Sequence, residues 1–312
     1  MSKKARSPSA LDRLKQASTP SYEMAMTSNT NIVGVGTSGT QAMLGLFSYV
    51  HAMTGGLIPA TTRWLSIDAD KDSRDPKSLT EQTNIGFVST GKDGAGTVIS
   101  TGHALASKAF PFIRQSILES MVGLMNARDH RFAVNLPPSL NQSLLLIAGS
   151  TGGTSGGTND LVVTAGLLGS DHIGLDRFDV TMVTIGGDIP WRDVNRSVNA
   201  DGRHRIMANY AESMKWRCGQ MATHCPIKID IPGQSPVRLH AATRIGTSVE
   251  FDWESESNKL QTNEQVIEMM VACLFHRFFT AVGCRRESRQ CDDVNCGRTG
   301  QKHPLFHGVT IA

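Results

Sequence analysis

The feature that most constrains the fold is a glycine-rich stretch at residues 149–158, where five of ten residues are glycine and the other five are serine or threonine. An apolar run at 143–148 precedes it, and a helical pattern at 160–168 follows it. This order predicts a buried strand, a glycine loop and a helix. Because glycines lack Cβ atoms, such a loop can curl so that its N–H groups and hydroxyls surround an anion.

A helix that begins beside such a loop adds free N–H groups and the positive end of its dipole, which favour a di- or triphosphate. A flexible turn is the alternative interpretation. The candidate phosphate-binding residues are Gly152, Gly153, Thr154, Ser155, Gly156 and Gly157. The substitution Gly153→Val is expected to block the approach of phosphate while the fold is kept.

A second strand, glycine loop and helix open the folded part of the chain. Residues 31–40 carry three glycines in the Gly-x-Gly-x-x-Gly spacing of the dinucleotide fingerprint and run into an apolar helical pattern at 41–50. That spacing suits a tight turn, backbone approach to phosphate and close helix packing. The candidate ligand-binding residues of this first loop are Gly34, Gly36, Thr37, Ser38 and Gly39.

Two acids and a third glycine loop follow. A strand pattern at 63–70 ends in Asp68 and Asp70, and a short apolar stretch leads into a glycine-rich loop at 89–97. Strand and helix patterns alternate throughout, so the sequence predicts an α/β fold with a mostly parallel sheet and helices on both faces. Open sheets of this kind bind ligands at the carboxyl ends of their strands. The candidate residues of the third loop are Gly94, Ala95 and Gly96.

The four stretches resemble, in order, the nucleotide loops of the tubulin and FtsZ superfamily of GTP-binding, filament-forming proteins, and more closely its divergent bacterial, phage and plasmid relatives. The Gly-Ala-Gly at 94–96 is similar to the third loop of FtsZ, near the γ-phosphate, and Asp68 and Asp70 stand where the family has its second loop. The stretch 152–157 is similar to the tubulin signature, with Ser155 in place of a glycine. The resemblance implies GTP with Mg²⁺ as ligand and head-to-tail self-association.

The resemblance continues into a predicted central helix at 203–219. Asn209 stands where the family has an asparagine that reads guanine, and one carboxamide can both donate to and accept from the guanine edge. Tyr210 stands near it, where the family stacks an aromatic side chain on the base. A helix-surface asparagine and a core tyrosine are the alternatives.

Beyond the central helix, the sequence predicts a small α+β second domain at 220–283. Alternating patterns at 227–231, 237–241 and 248–252 predict strands of an antiparallel sheet, and a broad apolar stripe predicts a core helix at 263–282. The other predicted parts of the chain are a disordered basic arm at 1–29, a nucleotide-binding domain at 30–202 and a C-terminal tail at 284–312.

Hydrolysis in the tubulin family uses an acid that follows the central helix and acts on the nucleotide of the neighbouring subunit. Asp230 is the only acid between residues 216 and 245, and it alternates into a predicted strand, where a solvated carboxylate is the alternative. We therefore expect slow GTP hydrolysis, with Asp230 as the candidate catalytic residue. A nucleotide-binding scaffold that does not hydrolyse GTP is the alternative within the family.

The composition of the chain limits the kinds of partner and the cellular location that can be expected. A formal net charge of +3 and a pI near 8.5 are too mild to predict direct nucleic-acid binding, so an adaptor or DNA-associated protein is the expected further partner. The sequence has no apolar run of about 20 residues, the length that a membrane span needs. Its six cysteines lack a Cys-x-x-Cys pair, so we expect reduced thiols, no structural metal and a cytoplasmic protein.

The competing class of protein is an NAD(P)-dependent Rossmann oxidoreductase. In that interpretation Gly34, Gly36 and Gly39 contact the pyrophosphate and Asp68 binds the ribose. A dinucleotide domain has no equivalent use for the larger glycine stretch at 149–158, which favours the tubulin-like interpretation.

Overall fold

A computed structural model describes residues 29–53, 58–59, 61–69, 85–91, 94–125, 141–175, 177–185 and 243–251, with short pieces at 204–205, 208–209, 211–212, 228–229, 237–238, 271, 274 and 310–311. Its strands are β1 (Asn29–Val35), β2 (Thr62–Asp68), β3 (Ile85–Ser89), β4 (Asn141–Gly149), β5 (Arg177–Ile185), β6 (Lys228–Ile229), β7 (Val237–Arg238), β8 (Thr243–Phe251) and β9 (Thr310–Ile311). Its long helices are α1 (Gly36–Met53), α2 (Ile99–Met125) and α3 (Gly153–Ile173).

The main sheet has seven strands in the order β3-β2-β1-β4-β5-β8-β9. Every neighbouring pair from β3 to β8 is parallel, and only the β8–β9 pair is antiparallel. Strands covered on both faces read as nearly continuous apolar runs. Strand β4 follows this rule with the run Leu144–Ala148, whereas β1 is buried at all seven residues although it begins with the polar residues 29–31. The predicted α/β fold with a mostly parallel sheet is confirmed.

Helices cover both faces of the sheet, as predicted. Val33 and Val35 of β1 belong to the core that α2 and α3 build on one face. Gly34 lies between them and points to the opposite face, where a Cβ on it would lie 2.8 Å from the Cβ of Met43 in α1. Alternate residues of one strand therefore serve two separate helix layers.

Helices α2 and α3 meet through glycines in their N-terminal turns. A Cβ on Gly102 of α2 would overlap the carbonyl oxygen of Gly153, and a Cβ on Gly157 of α3 would overlap the backbone nitrogen of His103. It would also lie 2.5 Å from the carbonyl oxygen of Ile99. Because backbone atoms cannot move aside as a flexible side chain can, these positions accept glycine alone.

Strand β8 differs from the sequence prediction. The patterns near residues 227–252 predicted an antiparallel sheet within a second domain, but β8 pairs with β5 in parallel and extends the main sheet. The predicted antiparallel arrangement is therefore wrong for this strand, although β6 and β7 do form an antiparallel pair. Alternation of apolar and polar residues identifies a strand, but it does not identify the strand's partner.

Smaller pieces locate parts of the second half. Thr310–Ile311 pairs with β8, so the predicted C-terminal tail contributes a strand to the sheet. Val271 and Leu274 are helical and buried, as the apolar stripe at 263–282 predicts for these two residues. The rest of that helix and residues 1–28 of the predicted arm lie outside the described residues.

The glycine contact between α2 and α3 gives a stability prediction. Gly157→Ala should lower the free energy of unfolding by about 3 kcal/mol or more, because the new methyl group meets backbone atoms of α2. Gly94→Ala is the control, since its φ of +61° is strained for alanine but its Cβ would meet none of the described atoms within 4 Å. It should cost about 1–2 kcal/mol. Urea denaturation compares the two, and an equal or smaller loss for Gly157→Ala would contradict the packing argument.

Candidate functional site

The predicted first loop is a direct strand-to-helix turn, because β1 ends at Val35 and α1 begins at the next residue. Gly36 makes this turn with φ of +69°, which glycine adopts without strain. A Cβ on Gly39 would overlap the carbonyl oxygen of Ile147, so the first turn of α1 lies directly against β4. The fingerprint glycines thus have the predicted uses of a tight turn and close helix packing, and they place the start of α1 beside the end of β4.

Asp68 lies at the carboxyl end of β2, beside the first turn of α1. The residue is only 2% exposed, and its carboxylate accepts two hydrogen bonds. One comes from the hydroxyl of Thr37 at 3.3 Å, and the other from the backbone N–H of Ala69 at 2.7 Å. The structure therefore brings the predicted residues Asp68 and Thr37 together, whereas Asp70 lies outside the described residues.

The third loop is an open turn joined to the start of α3. Gly94 and Gly96 have φ of +61° and +52°, and a Cβ on either would meet no atom of the described residues within 4 Å. The Gly96 carbonyl oxygen accepts a 2.7 Å hydrogen bond from the N–H of Gly153. Ala95 is buried, and its carbonyl oxygen accepts from the N–H of Val98 at 3.0 Å. Loops far apart in sequence are thereby held side by side, with the turn open toward solvent.

The fourth loop requires a correction. The helical pattern began at residue 160, but α3 begins at Gly153 and continues to Ile173, where Gly174 ends it with φ of +68°. Five of the six predicted phosphate-loop residues therefore form the first turns of the helix. A Cβ on Gly153 would lie 2.6 Å from the backbone N and O of Val98. The expectation that Gly153→Val keeps the fold is wrong, since valine there would push α3 away from α2.

Ser155 joins the first and fourth loops. A Cβ on Gly36 would lie 3.3 Å from the Cβ of Ser155, and a Cβ on Gly149 would lie 3.6 Å from both Ser155 Oγ and the Cβ of Ser38. The Ser155 hydroxyl donates to the carbonyl oxygen of Gly152 at 3.2 Å. The residue that departs from the tubulin signature thus fills the space between the two helix starts.

Two helix N-termini meet at this edge without acidic residues of their own. The first turns of α1 and α3 contain no Asp or Glu, and the N-cap residue of α3, Gly152, has no side chain to accept a hydrogen bond. The N–H groups of Gly153 and Gly156 donate to backbone carbonyls. The backbone hydrogen bonds of the described residues include no acceptor for the N–H groups of Thr154 and Ser155. Free N–H groups at a positive dipole end are suited to an anion.

Asn209 lies against the same edge, buried to 7% exposure. Its Nδ2 donates to the carbonyl oxygens of Thr97 and Thr151, each at 2.8 Å. The described residues near it, at 204–205, 208–209 and 211–212, are helical, and they fall within the predicted central helix. Since both amide hydrogens are engaged, only Oδ1 is left for a base, and guanine reading by Asn209 stays a prediction. Tyr210 and Asp230 lie outside the described residues.

Thr90 is a residue that the sequence analysis missed. It follows β3 directly, and its backbone N–H donates to the carbonyl oxygen of Asp68 at 3.0 Å. It is only 5% exposed, and its hydroxyl has no hydrogen-bond partner among the described residues. Its place after a parallel strand, at the same edge as Asp68, is the signal that could have identified it.

A second missed feature is a pair of neighbouring histidine and aspartate side chains across the contact of α2 and α3. The Nδ1 of His103 donates to the carbonyl oxygen of Gly157 at 3.2 Å and lies 3.7 Å from the Asp160 carboxylate. Burial raises the pKa of Asp160, and the opposite charge of a protonated His103 partly offsets that effect. The pair lies one helical turn beyond the free N–H groups of α3.

The raised pKa of Asp160 predicts a pH-dependent stability. A carboxyl group with a raised folded-state pKa stabilises the fold below its unfolded pKa, and this contribution is lost as pH rises through the folded pKa. The stability of Asp160→Asn relative to the wild type should therefore increase as the pH is raised from 3.5 to 7. We expect the melting temperature to differ by only about one degree, because the side chain is 40% exposed and screened by water. Thermal melts at both pH values measure this, and an unchanged difference would contradict it.

Together, the parallel sheet and the loops at its carboxyl edge define an α/β protein with a candidate anion site at two helix starts. No protein-family model matches the sequence, and no curated protein matches it. Among solved structures, the chain is similar to CetZ2 of Haloferax volcanii, solved as a GTPγS-bound protofilament, at 15% identity and a TM-score of 0.44. That match covers 78% of this chain and 56% of CetZ2.

Two further structures are similar to the same extent. CetZ from Methanosaeta thermophila has 12% identity and a TM-score of 0.47, over 80% of this chain and 53% of CetZ. TubZ of the Clostridium botulinum phage c-st has 11% identity and a TM-score of 0.45, over 86% of this chain and 64% of TubZ. The chain thus spans a little over half the length of the two CetZ proteins. None of the helices in the described ranges has the length and hydropathy required to span a membrane.

Proposed function

We propose that this protein binds GTP at the carboxyl edge of β1 to β4, with its phosphates at the starts of α1 and α3. The observation that carries the proposal is the meeting of two helix N-termini without acidic first turns at one edge of the sheet. Each contributes free N–H groups and a positive dipole end, which act together on one anion. The open turn of the third loop stands beside them and leaves space for a terminal phosphate.

Asp68 and Thr37 are the groups we propose for Mg²⁺. Mg²⁺ prefers oxygen ligands and is commonly bound by one or two carboxylates together with substrate phosphates. Asp68 supplies one buried carboxylate at the edge, and the Thr37 hydroxyl lies within 3.3 Å of it. The residues present fit the ion, which would neutralise phosphate charge when bound. The hydroxyl of Thr90 is a further oxygen at the same strand ends.

The choice of guanine rests on the resemblance of Asn209 and Tyr210 to base-contacting residues of the tubulin family. Asn209 lies next to the third and fourth loops, so a base bound there would be close to the phosphate site. Its Oδ1 is the group available to accept from guanine. We propose Tyr210, the next residue along the chain, as the aromatic side chain that stacks on the base.

The Mg²⁺ assignment can be tested with Asp68→Asn, which keeps the shape of the side chain and removes its charge. Affinity for GTP in Mg²⁺ should fall about tenfold or more, and affinity in EDTA should change little, because only the ion requires the carboxylate. Asp171→Asn, an exposed position at the other end of α3, is the matched charge control. Fluorescent-nucleotide titration measures both, with ATP and NAD as competitors. Equal losses with and without Mg²⁺ would contradict the assignment, and a wild-type preference for NAD would favour an oxidoreductase.

We also propose that the bound nucleotide promotes head-to-tail assembly. A nucleotide at the sheet edge presents its terminal phosphate outward, where a second copy can cover it, and a head-to-tail contact of this kind repeats into an open filament. With Asp230 as the one acid between residues 216 and 245, we propose slow hydrolysis and long-lived polymers. An adaptor or DNA-associated protein is the further partner we propose, in the cytoplasm.

Assembly predicts a nucleotide-dependent change in size. The fraction of protein that sediments and the intensity of scattered light should rise with GTP and with a non-hydrolysable analogue in Mg²⁺. The rate of phosphate release should stay low. Asp230→Ala should lower phosphate release only if that carboxylate orients the attacking water. A monomer at high protein concentration with saturating GTP would overturn assembly without affecting the binding proposal.

A further inference from the structure

Asn209 ties together two segments that are far apart in the sequence. Its Nδ2 donates at 2.8 Å to Thr97 of the third loop and at 2.8 Å to Thr151, in the turn before α3. These two residues are 54 positions apart, and both contacts are to backbone carbonyl oxygens. The side chain that makes them is only 7% exposed.

The chemistry of the carboxamide matches this position. An amide NH₂ group carries two hydrogens in one plane, so two acceptors can each receive one. Placing the carboxamide oxygen there instead would set it against two carbonyl oxygens, which repel it, so the orientation of the side chain is determined by its surroundings. Aspartate would face the same repulsion, serine could satisfy one carbonyl, and alanine would leave both without this donor.

The two hydrogen bonds also orient the peptide groups of the loops. In a planar trans peptide the C=O and the following N–H point in opposite directions. Because the Thr151 carbonyl is turned toward Asn209, the N–H of Gly152 is turned away from it. A third hydrogen bond, from the N–H of Gly153 to the carbonyl of Gly96, joins the same two segments at 2.7 Å. The three bonds together fix the start of α3 relative to the third loop.

We propose that Asn209 is a positioning residue that latches the third loop to the start of α3. This rests on the proposed function in one respect, since the site being positioned is the proposed phosphate site. If Asn209 acts as this latch, it affects nucleotide affinity by positioning the groups that bind the phosphates. Removing it should therefore weaken every ligand that carries the phosphate chain, including one without a base, and the proposed contact of Oδ1 with guanine would add a further loss for GTP alone.

The first test needs no nucleotide. Amide hydrogen exchange of Asn209→Ala should be about tenfold faster than wild type at Val98 and Gly153, whose N–H groups are hydrogen-bonded within the latched segments. Asn209→Ser, which keeps one donor, should be intermediate. Asn159→Ala is the matched control, because Asn159 is also 7% exposed and its Oδ1 has no partner among the described residues. It should leave exchange at both amides unchanged, and wild-type exchange rates in Asn209→Ala would overturn the latch.

The second test separates the latch from base reading. Affinities of wild type, Asn209→Ala and Asn209→Ser are measured for GTP and for inorganic tripolyphosphate, which has no base. The latch predicts that tripolyphosphate affinity also falls, about tenfold for alanine and less for serine, and any larger loss for GTP measures the contact of Oδ1 with the base. A loss confined to GTP would overturn the proposal and assign Asn209 to the base.

The two proposals can fail separately. If wild-type protein binds neither GTP nor tripolyphosphate, the proposed function fails, and the exchange rates at Val98 and Gly153 still decide whether the latch exists. If wild type binds both and exchange is unchanged in Asn209→Ala, the latch fails and the nucleotide site stands.

Discussion

The contact between the N-terminal turns of α2 and α3 is the constraint on which the geometry of the candidate site depends. At Gly102 and Gly157 the two helices touch backbone to backbone, with no room for a methyl group. The segments that lead into these helices must then lie equally close, and the 2.7 Å hydrogen bond from Gly153 to Gly96 follows from that approach. A side chain at either glycine would separate the loops as well as the helices.

The candidate site combines this contact with the rules of a parallel sheet. The carboxyl ends of parallel strands lie at one edge of the sheet, so the turns after β1, β2, β3 and β4 lie close together there. The helix contact fixes the position of α3, so that its free N–H groups lie beside the first turn of α1. Ser155 fills the space between the two helix starts. The pair of His103 and Asp160 spans the same helix contact, and burial of its carboxylate costs some stability at neutral pH.

Much of the fold and part of the site were predictable from local patterns. The apolar runs of β1 and β4 and the glycine spacing at 34–39 specify strands, turns and helix starts within a few residues of one another. Asp68 was predictable for the same reason, because it is the last residue of a buried strand. Thr90 gave a weaker signal of the same kind. In contrast, the roles of Gly153 and Gly157 depend on α2, more than 50 residues earlier in the chain, and sequence alone assigned them to a phosphate loop.

The sequence by itself therefore determined the α/β class, the order of strands and helices, and the edge of the sheet at which the candidate site residues lie. The tertiary structure alone decided that the fourth glycine stretch is mainly helix, that β8 extends the main sheet beside β5, and that Asn209 joins two loops. The physical reason is the range of the interactions. Turn geometry and apolar periodicity act between near neighbours in the chain, whereas close helix packing, strand pairing and the bridging amide each join residues tens of positions apart.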